Sequence, residues 1–149
     1  MGAIAVSQTN GGLRTLLGSC LGLVLYERRL KIGGLAHIVL PRAPEGRCDT
    51  PGKFVDTAVP ALIRKMEELA GGATLNLCAK IAGGANMFQT TAANTIGEQN
   101  IAATERVLEE LRIPVVGRHL GGEQGRRMTL DIATGTVTID VVGAETITL

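Results

Sequence analysis

Twenty glycines, many in adjacent pairs, cut this 149-residue sequence into short segments. The pairs Gly11-Gly12, Gly33-Gly34, Gly71-Gly72, Gly83-Gly84 and Gly121-Gly122 mark turns, because glycine enters left-handed backbone conformations at little steric cost. Between them the apolar residues fall into two periods. Leu21–Tyr26 is a continuous apolar run, as is Ile32–Leu40 once its glycines are allowed for, and both read as buried strands. The segment Arg42–Lys53, with Pro44, Gly46 and Pro51-Gly52, reads as an exposed loop.

From Phe54 the spacing turns helical. Val55, Val59, Leu62, Ile63, Met66 and Leu69 share one face, Gly71-Gly72 ends the helix, and Pro60 either interrupts it or sits in its first turn. Ala73–Ala82 alternates like a strand, and a loop from Gly83 to Asn94 follows. Ile96–Leu111 is a second helix, with Ile101, Thr104, Leu108 and Leu111 on its apolar face. Pro114–His119, Arg127–Ala133 and Thr136–Val142 read as strands, the last two joined as a hairpin at Thr134-Gly135. The pattern predicts a single α/β domain over residues 1–149, a mixed or antiparallel sheet covered by two amphipathic helices.

Composition narrows the function. Tyr26, Phe54 and Phe88 are the only aromatic residues, so the core is expected to be aliphatic. With 15 basic and 14 acidic side chains intermixed and so few rings for base stacking, the chain carries no nucleic-acid footprint. No apolar run reaches membrane-spanning length, and Met1–Thr9 lacks the pattern of an export signal, so a cytoplasmic protein without membrane insertion is expected. Cys20, Cys48 and Cys78 are odd in number and form no C-x-x-C pair. With only His37 and His119 to join them, they support neither a zinc site nor a disulfide framework, and no cofactor is called for.

The polar stretch Glu27-Arg28-Arg29-Leu30 lies between the first two strands. A turn centred between Arg28 and Arg29 would set Cys20 directly opposite His37, on the same face, with Cβ atoms about 4.5–5.5 Å apart. A one-residue bulge, for which Gly33-Gly34 offers a place, would separate them to opposite faces. A lone cysteine or histidine among apolar neighbours is ordinarily a core residue; the two facing each other suggest a thiol nucleophile and its base. An adjacent imidazolium would hold Cys20 as thiolate, reactive well below the ordinary thiol pKa of about 8.5. The turn at Gly18 and Ser19 can expose backbone N–H groups as an oxyanion hole. Cys48 and Cys78 read as structural, and Arg126, Arg127 and His119 as solvated loop residues.

These residues sit within a wider resemblance. The blocks Thr15–Cys20, Gly33–Pro41, Lys53–Val59, Lys80–Phe88, Asn94–Asn100 and Gly121–Arg126 are collinear and resemble the CheD family of chemoreceptor glutamine deamidases from Arg14 to about Val142. The resemblance implies an α/β deamidase with a papain-like Cys-His-Thr logic. Its substrate would be glutamines on the cytoplasmic helices of chemoreceptors, and its usual partner a CheC-type phosphatase. The family pattern places its threonine six residues before the cysteine. Here that position is Arg14, and Thr15 stands five before, so the third member is Thr15, another acceptor, or none. Gly83, Gly84, Asn86 and Phe88 are a candidate wall of a shallow substrate cleft, with Phe88 either an exposed anchor or a core plug. Two other readings keep the scaffold: a thiol deamidase of another protein, and a binding module that only engages a phosphatase.

Overall fold

The computed structural model describes residues 1–45 and 48–149; Gly46, expected as a loop turn, lies outside them. Among the described residues the strands are β1 Ile4–Gln8, β2 Gly12–Leu17, β3 Leu21–Glu27, β4 Ile32–Ile38, β5 Leu77–Gly83, β6 Val115–Leu120, β7 Arg126–Asp131, β8 Val137–Val141 and β9 Ile147–Thr148. The helices are α1 Val55–Leu69 and α2 Ile96–Glu110. Five strands form a mixed sheet in the order β1-β4-β3-β5-β6, parallel only between β5 and β6. The other four form an antiparallel sheet, β2-β7-β8-β9. The α/β class with two covering helices is as expected, and the second sheet is an additional layer.

The need for that layer lies in β3, every residue of which is buried. Leu21, Leu23 and Leu25 pack with Val55, Val59, Leu62 and Met66 of α1 and Leu108 of α2. The alternate residues Val24 and Tyr26 pack with Leu17, Met128, Leu130 and Ile139 of the second sheet. A strand apolar on both faces must be covered on both. The same division explains the paired glycines of β4. A Cβ on Gly34 would lie 2.4 Å from Leu62 on the helix side, and one on Gly33 would lie 2.8 Å from Leu130 on the sheet side.

Several expected boundaries move. The β3–β4 connection is a four-residue turn, Arg28–Lys31, with Lys31 left-handed at φ 51° and Leu30 N–H donating to the Glu27 carboxylate at 2.5 Å. A two-residue turn would have needed positive φ at both central positions, which two arginines disfavour. Gly22 therefore faces His37, and the ladder runs through Gly33-Gly34 without a bulge. The strand expected from Ala73 begins at Leu77. Pro60 lies inside α1 on its exposed side, and Leu69 and Leu111, expected on apolar faces, are 40 % and 47 % exposed. α2 starts at a capping box in which Thr95 and Glu98 satisfy each other's backbone N–H groups.

The core is aliphatic apart from Tyr26 and Phe54. Tyr26 crosses between the sheets, its hydroxyl donating to the carbonyl of Ile132 at 2.7 Å in a buried position. Tyr26→Phe keeps the ring and leaves that carbonyl unpaired, so it is expected to destabilise the fold by about 1 kcal/mol in urea unfolding; an unchanged midpoint would show that the hydroxyl does not tie the sheets.

Candidate active site

His37 is held by its backbone before its side chain is considered. Its N–H donates to Ala3 O and its carbonyl accepts from Gly2 N, both at 2.9 Å, so the lead-in to β1 fixes this end of β4. Its ring points toward the second sheet, where Thr15 of β2 meets it, with Thr15 Oγ1 2.7 Å from Nδ1. The other ring nitrogen, Nε2, is buried and has no hydrogen-bond partner. A buried nitrogen left unsatisfied is costly.

Cys20 ends the bend Gly18–Cys20 that links β2 to β3. Since Gly22 is the residue opposite His37, Cys20 is its diagonal neighbour rather than its directly facing partner. The direct pairing expected from the sequence is corrected by two residues, and Cys20 itself lies in the bend before β3 begins. Diagonal Cβ atoms in regular antiparallel geometry are about 7–8 Å apart, or somewhat less. Accordingly the thiol and imidazole share no hydrogen bond here.

The one-residue offset at Arg14 and Thr15 has a local cause. Along β2, Leu13, Thr15 and Leu17 turn inward while Arg14 and Leu16 are exposed, so Thr15 is the residue that reaches the imidazole. The irregular bend at Gly18–Cys20 separates the two strand alternations, so counting back from Cys20 does not tell which residue faces inward.

Two glycine loops support the bend. Gly84 N–H donates to Cys20 O and Ala85 N–H to Gly18 O, both at 2.9 Å. Gly83 adopts φ 113°, and a Cβ there would lie 2.2 Å from Cys20 O, so only glycine fits under the nucleophile turn. Gly83 and Gly84 are buried, and lie beneath the bend rather than on a cleft surface. Asn86 is half-buried, its amide engaged with the backbone of Thr90. Phe88 is 86 % exposed, which excludes the core-plug reading. Among the described residues the N–H groups of Gly18 and Ser19 donate to no backbone carbonyl, and that of Cys20 is directed to its own thiol.

Sequence reasoning missed several features. Leu16, Met87 and Val142 are exposed apolar side chains around a groove of about 710 Å³ that runs past Gly18 and is also lined by Arg127 and Asp140. A neighbouring cavity of about 480 Å³ is lined by Thr15, Leu16, His37 and Arg127. Arg126, expected in a solvated loop, is buried on β7 and donates to His119 and to the carbonyls of Gly121 and Gln124. Its inward side follows from its place opposite the buried Leu17. Cys48 and Cys78 stand elsewhere, near Thr57 and the backbone of Tyr26.

Burial pushes the Cys20 thiol up from its ordinary pKa and the His37 imidazolium down. Both directions favour the uncharged forms, so the resting pair is thiol and neutral imidazole. A thiolate standing beside His37, as expected from the sequence, runs against both directions.

Cys20 just before the central strand β3, His37 on the neighbouring β4 and the Thr15 hydroxyl on the imidazole are the residue types that thiol acyl transfer uses. Residues 39–141 match the family model described as CheD chemotactic sensory transduction. A protein of Methanococcus vannielii is 44 % identical over 93 % of this chain and 90 % of its own length. Two from strains of Clostridium botulinum are 45 % identical over 93 % of this chain and 87 % of their own length, and 47 % over 85 % and 80 %. All three carry the name "Probable chemoreceptor glutamine deamidase CheD". This chain belongs to the CheD family. The matched segment of the family model begins beyond Cys20 and His37, whereas an alignment over 93 % of the chain necessarily spans Thr15, Cys20 and His37.

Because a raised thiol pKa means less thiolate at any pH below it, alkylation of Cys20 by iodoacetamide should rise with a midpoint above the ordinary value of about 8.5. Site-resolved peptide mass spectrometry across pH reads this directly; a midpoint near neutrality would show a standing ion pair with His37.

Proposed function

We propose that this protein is a chemoreceptor glutamine deamidase, with Cys20 as nucleophile, His37 as general base and acid, and Thr15 as the residue that orients the imidazole. The observation that carries the assignment is the Thr15–His37 contact, which leaves Nε2 buried and unpaired. The reading takes Nδ1–H as the donor to Thr15 Oγ1, which puts the lone pair on Nε2, where a base for Cys20 is needed.

The reaction begins with both groups neutral. As Cys20 Sγ attacks the carboxamide carbon, His37 Nε2 takes the thiol proton, and the developing oxyanion meets the free N–H groups of the Gly18–Cys20 bend. The imidazolium then gives its proton to the departing nitrogen, which leaves as ammonia, and a γ-glutamyl thioester remains. His37 next removes a proton from water as its oxygen attacks the thioester. Collapse expels the Cys20 sulfur, which recovers the proton, and the side chain is now glutamate. A glutamyl methyl ester would follow the same steps with methanol as leaving group.

The substrate glutamine stands on a receptor helix, and the exposed apolar side chains beside the bend suit that shape. Leu16, Met87, Phe88 and Val142 give an apolar footprint, and Arg127 and Asp140 supply charges at its edge. An amphipathic helix laid along such a groove presents a side chain to its rim. Gly83, Gly84 and Asn86, first considered as cleft wall, serve this reading by holding the bend and the loop that carries Met87 and Phe88. No helix among the described residues is long and apolar enough to cross a membrane. Action on the cytoplasmic part of receptors, in the cytoplasm, and a CheC-type phosphatase as partner belong to the same proposal and rest on family membership.

Incubation of a purified chemoreceptor cytoplasmic fragment with the wild-type protein should add about one mass unit per converted glutamine. Cys20→Ala and His37→Ala should abolish the gain, the loss of a nucleophile or its base costing at least about 10³-fold. Conversion that persists in Cys20→Ala would reject the nucleophile assignment.

A further inference from the structure

One buried charge has no part in the chemistry above. Arg126 is 5 % exposed, and among the described residues it has no carboxylate partner. A buried cation is costly unless its donors are satisfied. Nη1 donates to His119 Nδ1 and to His119 O, both at 2.8 Å. Nη2 donates to Gly121 O and, at 3.2 Å, to Gln124 O. A guanidinium only donates, so His119 Nδ1 is the acceptor and that ring is neutral, with its proton on Nε2.

Two of these acceptors, Gly121 O and Gln124 O, belong to the loop from β6 to β7, in which Gly121 and Gly122 are both left-handed, and the other two belong to His119 near the end of β6. That loop in turn holds a second one: Gly121 N–H donates to Gly83 O at 2.9 Å, and Asn86 N–H to Gly122 O at 2.8 Å. The second loop holds the nucleophile bend through Gly84 N–H on Cys20 O and Ala85 N–H on Gly18 O. On the other side, Arg126 is the ladder partner of Leu17, the last residue before the bend. From the β6–β7 loop to Cys20 each link is backbone to backbone. The side chain that anchors the far end is Arg126.

We propose that Arg126 is a positioning residue for deamidation: four of its five N–H donors, all but the buried and unpartnered Nε, fix the end of β6 and the loop that follows it, and through the loop at 83–86 they fix the Gly18–Cys20 bend that carries the nucleophile and the oxyanion donors. The proposal rests on Cys20 being that nucleophile. Arg126 is not among the charges that act on the Cys20 thiol, so its effect is geometric. Displacement of a reacting group by about 1 Å can cost about 10²-fold in rate.

Arg126→Lys keeps the charge but replaces a planar fork with a single ammonium that cannot reach the same four acceptors. The expected result is a folded protein whose kcat on the receptor fragment falls about 10- to 100-fold, with KM held within about threefold. Amide hydrogen exchange, measured without substrate, should speed up at Gly84, Ala85, Asn86 and Gly121. His119→Ala removes one acceptor while leaving the guanidinium in place, and should lower kcat less, in the same direction; it decides the matter should Arg126→Lys fail to fold. A folded variant with wild-type kcat and unchanged exchange at those amides overturns the proposal, as does a loss confined to KM. A wild-type protein that converts no glutamine counts against the deamidase reading, whereas the exchange result bears on Arg126 alone.

Discussion

The burial of β3 on both faces is the constraint on which the site depends. One face of the strand is covered by α1 and α2 and the other by the sheet containing β2 and β7. A single sheet with helices on one side would leave Val24 and Tyr26 in water, and it would leave His37 without Thr15. The layer that completes the core is thus the layer that supplies the hydroxyl. The site sits where the two sheets meet, at the end of β3, so its side chains come from rigid strands while its nucleophile comes from a short bend between them.

That bend is irregular backbone, and such a segment needs hydrogen bonds from elsewhere. Here they come from glycine loops that pass closely beneath it, with Gly83 admitted only because it lacks a side chain. The groups these loops satisfy are the carbonyls of Gly18 and Cys20. Burial has an electrostatic consequence as well. It disfavours both the thiolate and the imidazolium, so the account requires proton transfer during attack rather than a charged pair at rest.

Much of this was legible in the sequence. The strands β3 and β4 follow from their apolar runs, α1 and α2 from helical spacing, and the β7–β8 hairpin from Thr134-Gly135. Cys20 was set opposite His37 by a turn two residues too short, whereas the longer turn sets Gly22 there and leaves Cys20 in the bend before β3. The second sheet was hidden because β2 and β9 are short and β2 lacks clean alternation, with Arg14 and Thr15 adjacent and the apolar Leu16 exposed. Its presence was nonetheless implied by a β3 without any polar face. Thr15 could not be assigned by counting from the cysteine, since the bend breaks the alternation between them. Arg126 was misread because charge argues for solvent, and only its ladder position opposite Leu17 reveals the inward side.

The central claim is that Thr15 selects the tautomer of His37 that can serve as a base toward Cys20. Nitrogen-15 NMR of the protein labelled in its histidine rings, recorded at a pH where His37 is neutral, measures this directly. The account predicts a protonated, pyrrole-type Nδ1 and an unprotonated, pyridine-type Nε2 in the wild type, with the two forms mixing in Thr15→Val. A pyrrole-type Nε2 in the wild-type protein would place the proton where the lone pair is required, and would contradict the role of Thr15 and of His37 alike.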